Sequence, residues 1–406
     1  MSVFLLVMLY LLAIEVILYL IVRSCRKVFP WLITKDDELP ALDEKALTKF
    51  LDYSFDPDLG WVRKPNTTGT EHGRNREIQF HIDATGSRLH SRSNLVPKIA
   101  SFGDSYTFCR QVMDDETWQA ILAKDKALGV LNYGVGNYGV DQALLRYEMM
   151  PLPTSVGVVL MGFVPETICR IQSYWKHYLE FGNTFAFKPR FTLGENGEVK
   201  LQKNLIRSFS DFQHLESILP YIRQHDVFYE SKFRRLQFRF PYILSFSRHP
   251  LRHSKIILAV VVRSLLRIFR IKNDMVESLP FTLIMKENIR HAHALYQDKK
   301  STDLLKAILL RFKEIAKSRN QIPLVVVMPQ LMDMKLIRNT RIPYEDFFQG
   351  LNSEMNVINL TEIFLKQRSL DSLYVNDKYG GHLSHKGNSL VSQEISRLLD
   401  ELVKLN

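Results

Sequence analysis

The run Pro323-Leu324-Val325-Val326-Val327-Met328-Pro329 is apolar at every interior position and shows no polar alternation. A strand with one face in water alternates, so a strand with no polar face must be covered on both sides, as in a parallel sheet lying between helices. Residues 156–161 (Val-Gly-Val-Val-Leu-Met) have the same character, and Ile99-Ala100-Ser101-Phe102, Val130-Leu131-Asn132 and Asn356-Val357-Ile358-Asn359-Leu360 supply three more short strands. Helical patterns fall between and after them, over residues 116–122, 301–319 and 389–405. The middle one carries Leu304, Leu305, Ile308, Leu309, Phe312 and Ile315 on one face. This order predicts a three-layer α/β/α sandwich with a parallel sheet, whose functional residues collect at the carboxyl ends of the strands.

A serine follows the first of these strands. In Gly103-Asp104-Ser105-Tyr106-Thr107 it stands on a Gly-Asp-Ser turn, and a serine hydroxyl becomes a nucleophile when a sharp turn exposes it beside a base. Near the far end, Tyr379-Gly380-Gly381-His382-Leu383-Ser384-His385-Lys386-Gly387-Asn388 is a glycine-rich loop that carries two histidines into the last helix. These two blocks resemble those of the SGNH/GDSL hydrolases, whose first block is a Gly-Asp-Ser turn and whose last block supplies the histidine. The stretch Val130-Leu131-Asn132-Tyr133-Gly134-Val135-Gly136-Asn137-Tyr138-Gly139 resembles the family's second block, a strand breaking into a loop that presents a backbone N–H to an oxyanion. Asn137 stands where many relatives have glycine, and asparagine enters the left-handed region more readily than other side chains. The resemblance implies Ser105 as nucleophile, His382 as base with His385 as its rival, oxyanion or substrate contacts at Asp104, Gly136, Asn137 and Thr167, and neither cofactor nor metal.

Two departures from the family pattern bear on activity. The third block of most relatives is Gly-x-Asn-Asp, whose asparagine is a further oxyanion donor, whereas this chain has Gly162-Phe163-Val164-Pro165-Glu166-Thr167. Thr167, Arg170 or Asn183 must replace it through space, or a donor worth about 10²–10³ in rate is lost. The supporting aspartate of the family stands two or three residues before the histidine, at Tyr379 or Gly380 here. The nearest carboxylate is Asp377, which the two glycines let curl back onto His382. A Ser-His pair works without it at reduced rate.

Residues 3–22 are apolar apart from Glu15 and are followed by Arg23, Arg26 and Lys27. Twenty such residues span a bilayer core as a helix, and a basic start and a small-residue cleavage site are both missing, so a retained anchor is expected rather than a cleaved leader. Charges that follow the span favour a cytoplasmic catalytic side. The resemblance points the other way, since anchored relatives that modify exported polysaccharides work outside. Residues 232–272 hold eleven Lys or Arg and no Asp or Glu, equal to the whole net charge of +11. Their apolar run 256–262, with arginines following, reads as an interfacial helix on anionic lipid or as a basic surface insertion. No nucleic-acid-binding motif accompanies the charge. Three widely spaced cysteines give neither a disulfide framework nor a metal cluster.

The chain divides into an anchor over 1–27, a lead-in over 28–95 with a hairpin or strand pair expected around 78–89, and an SGNH-like α/β region over 96–406 interrupted by an insertion at 173–280. Within the insertion Tyr174, Trp175, Tyr178, Phe181, Phe185, Phe187 and Phe191 crowd with Lys176, Lys188 and Arg190, either as core or as a groove for a sugar or lipid carrier. The function expected is a membrane-anchored serine esterase or O-acyltransferase acting on acyl esters, by family analogy acetyl esters of an envelope polysaccharide. Its partners would be an acylated carbohydrate or other ester and membrane lipid, with no nucleic acid and the oligomeric state left open. The alternative is a catalytically impaired binding or assembly subunit of a polysaccharide pathway.

Overall fold

The computed structural model describes residues 3–28, 42–73, 76–180, 183–271, 273–375 and 381–405. Strands are numbered along the chain. Three two-stranded antiparallel sheets, β1–β2 (Phe55–Asp56, Gly60–Trp61), β3–β4 (Thr68–His72, Glu77–His81) and β8–β9 (Arg190–Leu193, Val199–Gln202), surround one five-stranded sheet. That sheet is built from β5 (Pro97–Phe102), β6 (Gly129–Asn132), β7 (Val158–Phe163), β10 (Ile322–Val327) and β11 (Asn356–Asn359). Its order is β11-β10-β7-β5-β6 and every pair is parallel.

The expected layering follows from handedness. β5 crosses to β6 through the helix Trp118–Lys126, then β6 returns past β5 to β7 through Val140–Met149. Right-handed crossovers travelling in opposite directions put these helices on opposite faces. His385–Leu405 packs beside Trp118–Lys126, and Lys299–Ser318 packs on β10 and beside Val140–Met149, giving three layers. The apolar run that predicted such a sandwich is buried throughout, with Leu324, Val325, Val326 and Val327 all at 0% exposure. Each contributes about 1.5–3 kcal/mol of transfer free energy. The direction of travel reverses at β5, and in sheets of this kind the crevice at that reversal is the ligand site.

Several boundaries differ from the sequence expectation. The regular hairpin is β3 paired with β4, whose second strand enters the expected 78–89 stretch. Beyond it the pairing continues only as the antiparallel bridge of Ile82 with Arg88, because residues 83–87 form a tight turn in which the Asp83 carboxylate accepts the N–H groups of Thr85 and Ser87 at 2.8 and 3.0 Å. The last helix begins at His385 rather than Ser389, since Ser384 caps it: its hydroxyl accepts the Gly387 N–H at 3.3 Å. In the aromatic cluster, Tyr174, Trp175, Phe187 and Phe191 are core, with Trp175 stacked on Phe187 at 4.8 Å. Phe181 lies outside the described residues.

The helix Val3–Val28 is, among the described residues, the one long and apolar enough to cross a membrane. Its exposed side chains leave it open to solvent or lipid over most of its length. Its second half is docked: Leu18, Ile21 and Val22 pack with Phe238, Tyr242, Ile256 and Val260. Glu15, the one charge in the apolar run, accepts the backbone N–H groups of Tyr242 and Ile243, the latter at 2.8 Å. These are orphan donors of the first turn of Tyr242–Arg248, so the carboxylate completes that helix from a position remote in sequence.

Candidate active site

β5 ends at Phe102 and the chain turns at Gly103, whose φ of +154° and surroundings exclude a side chain. A Cβ there would stand 2.1 Å from the Thr107 hydroxyl and 2.7 Å from the Gly162 carbonyl of β7. The turn is fastened by Asp104, which accepts the Tyr106 N–H at 2.8 Å while its carbonyl accepts that of Phe108 at 2.9 Å. Burial raises the Asp104 carboxyl to about 6 against the opposing field of Arg170. Ser105 is left half-buried at the crest.

His382 comes to Ser105 from 277 residues away, with Nε2 at 2.9 Å from Oγ. Its loop is tied on both sides. The Tyr106 hydroxyl donates to the Gly381 carbonyl at 2.8 Å, and the Val375 N–H donates to the His382 carbonyl at 2.8 Å. His385 is exposed on the first turn of the following helix. Asp377 lies outside the described residues.

The contact on the other ring nitrogen comes from a residue that sequence reasoning missed. Gln111 Oε1 stands 3.1 Å from His382 Nδ1, and Gln111 Nε2 donates to the His72 carbonyl at 3.0 Å. The second bond fixes which way the amide points, so the oxygen faces the ring and Nδ1 carries the proton. Nε2 is then the acceptor for the Ser105 hydroxyl. Gln111 sits in the left-handed region at φ +75°, in a loop clamped by the buried Arg88, whose guanidinium donates to the carbonyls of Phe108, Cys109 and Val112. A neutral amide orients the imidazole as a carboxylate does but supplies no charge to stabilise imidazolium. Burial, with the fields of Arg110 and Arg170 added, accordingly lowers His382 to about 3. The ring is expected to stay neutral, as the Nδ1–H tautomer, from pH 8 down to about 4; imidazole NMR titration checks this, and a transition near 6.5 would contradict it.

The second loop follows β6. Trp61 Nε1 donates to the Gly136 carbonyl at 2.9 Å, and the Tyr138 hydroxyl donates to the Trp61 carbonyl at 2.5 Å, so β2 holds the loop from outside. Asn137 adopts φ +70°. Its N–H lies on the opposite edge of a planar peptide from the Gly136 carbonyl and points away from Trp61. The main-chain N–H groups of Ser105 and Asn137 meet no acceptor among the described residues, the condition of an oxyanion site.

Thr167 and Asn183 line the same pocket but are committed elsewhere: the Thr167 hydroxyl donates to the Val164 carbonyl at 2.7 Å, and Asn183 Nδ2 to the Glu180 carbonyl at 2.8 Å. Arg170 lines the pocket as well and donates from Nη1 to the Tyr138 carbonyl at 2.9 Å. Beyond it are Glu166, which burial raises to about 8 against the field of Arg170, and Lys176, which burial lowers to about 8 although Glu180 lies 3.0 Å away. Ser105, His382, Asp104, Asn137, Thr167 and Arg170 thus share one pocket of about 230 Å³, while Gly136 lines an adjoining cleft. Cys109, 2% exposed and pushed up to about 12 by burial, is an inert thiol beneath the turn. Among the described residues no His, Cys, Asp and Glu cluster could hold a metal ion.

No family model matches this chain, and no curated protein matches it. A solved structure described as "a putative lipolytic protein of G-D-S-L family from Desulfitobacterium hafniense DCB-2" is similar over 74% of this chain and 97% of that one, at 12% identity and a TM-score of 0.31. A likeness of that size carries no argument about the site.

Proposed function

We propose that this chain is a membrane-anchored serine esterase or O-acyltransferase. The observation that carries the reading is the 2.9 Å bond from Ser105 to a histidine whose opposite nitrogen is held in the required tautomer. In the first step His382 Nε2 takes the hydroxyl proton while Ser105 Oγ bonds to the acyl carbon. The N–H groups of Ser105 and Asn137 hold the oxyanion, the ester C–O bond breaks, and His382 returns the proton to the leaving alkoxide. Water or a sugar hydroxyl then takes the acyl group, and every residue up to that point serves both outcomes. Val3–Val28 is the anchor, and an acylated envelope polysaccharide is the carbohydrate partner that the motif resemblance suggests.

One observation favours the catalytically impaired binding subunit: the His382 Nδ1 partner is an amide rather than a carboxylate. A fluorophosphonate probe separates the readings. The folded protein is expected to take one covalent label and to turn over 4-nitrophenyl esters; absence of both would establish the binding role.

A further inference from the structure

The pocket around Ser105 is lined by Ser105, His382 and Arg170 and also by Phe233, Leu236, Phe281, Ile284 and Met285, with Lys232, Arg252, Glu287 and Asn288 as polar members of that second group. Phe281, Ile284 and Met285 belong to the helix Asp274–Leu295, which packs against both the Pro165–Gln172 turn carrying Arg170 and the helix Pro250–Ile268. Ile284 is a shared wall. It lines the pocket and also packs into the cluster that docks Leu18, Ile21 and Val22 of the N-terminal apolar helix.

The outer face of this region is apolar where a soluble surface would be polar. On Pro250–Ile268 the exposed side chains Leu251, Leu258, Val261, Leu265 and Ile268 recur at helical spacing, with Leu258 63% and Ile268 72% exposed. Phe240, Phe269 and Ile271 extend the patch, at 72%, 69% and 53% exposure, and Lys255, Arg267 and Arg270 flank it. An apolar stripe rimmed by cations suits an anionic bilayer surface. The Glu15 bonds tie the start of Tyr242–Arg248, the element just before Pro250–Ile268, to the apolar helix. The helix that carries the patch and the apolar helix thus meet in one cluster, and Ile284 connects that cluster to the pocket.

Resting on the serine acyl chemistry above, we propose that the acyl donor is an amphiphile resident in the bilayer, a long-chain ester whose tail enters from the lipid side between Phe233 and Leu236 on one wall and Phe281, Ile284 and Met285 on the other. Its carbonyl reaches Ser105 and its polar head meets Arg170 and Lys176. The bonds made and broken are those of the first step already described, with the acyl chain remaining in the arm while the head group leaves.

The test uses the full chain in vesicles containing phosphatidylglycerol, with 4-nitrophenyl esters from acetyl to octanoyl. Each methylene buried in the arm is expected to raise kcat/KM by about threefold to fourfold until the arm is full. Met285→Trp, which fills it, is expected to cut the octanoyl-to-acetyl ratio at least tenfold; Ile284→Trp provides a second variant should the first misfold. In Leu258→Trp the added fluorescence is expected to be quenched by brominated lipid. Acetyl turnover with no chain-length gain, an unchanged ratio in both folded variants, or an unquenched Trp would each overturn bilayer loading while leaving serine chemistry intact. No turnover of any ester and no fluorophosphonate label would instead remove the serine chemistry, and this proposal would fall with it.

Discussion

Ser105→Ala is expected to abolish fluorophosphonate labelling and to lower kcat for a short ester by roughly 10⁴–10⁶, with KM nearly unchanged. The variant is a clean test because Ser105 is half-buried and its hydroxyl bonds His382, so the turn keeps the Asp104 bonds that shape it. His382→Ala is expected to cost as much, and the double variant no more than either single one, because the two groups act in the same proton transfer. Cys109 cannot substitute, being a buried thiol held far above physiological pH. Circular dichroism and thermal melting establish that each variant is folded. Turnover by a folded Ser105→Ala protein within tenfold of the parent would remove Ser105 from the chemistry.

The layers of this fold are legible in the sequence because burial on two faces leaves a strand with no polar positions, as in residues 324–327. The meeting of Ser105 and His382 is suggested by the motif resemblance of the Gly103-Asp104-Ser105 turn and of the glycine-rich loop that carries His382. What the sequence does not display is any pairing made by a group without a motif. Gln111 is one amide among polar loop residues, and its role depends on the His72 carbonyl at the end of β3 and on Arg88, both in the lead-in segment. Glu15 reads as an isolated charge in an apolar run, because its partners are main-chain N–H groups 227 and 228 residues away. Thr167, Arg170 and Asn183 are equally within reach in sequence, and only the structure shows that each of them already donates to a backbone carbonyl beside the pocket.

Gln111→Ala is expected to lower kcat by roughly 10²–10⁴ with little change in KM, the range seen when an orienting side chain on a catalytic histidine is lost or leaves the wrong tautomer. Removing the amide leaves the His382 Nδ1–H unpaired in a buried position, at a cost of about 1–3 kcal/mol, and frees the ring to turn or to shift its proton to Nε2. Either change takes the acceptor away from the Ser105 hydroxyl. A readout that a merely structural role would not move is the ring itself: NMR is expected to show a mixture of tautomers in Gln111→Ala and one tautomer in the parent. Gln111→Glu tests the charge. A carboxylate there would raise the His382 pKa from about 3 by stabilising imidazolium, but it would also set an oxygen against the His72 carbonyl where the amide now donates at 3.0 Å. It is therefore expected to exceed the alanine variant in kcat while melting at a lower temperature than the parent. Asp377→Asn tests the aspartate to which the motif resemblance gives the same orienting role. Full activity in Gln111→Ala, together with a loss of two orders of magnitude in Asp377→Asn, would transfer the orienting role to the aspartate.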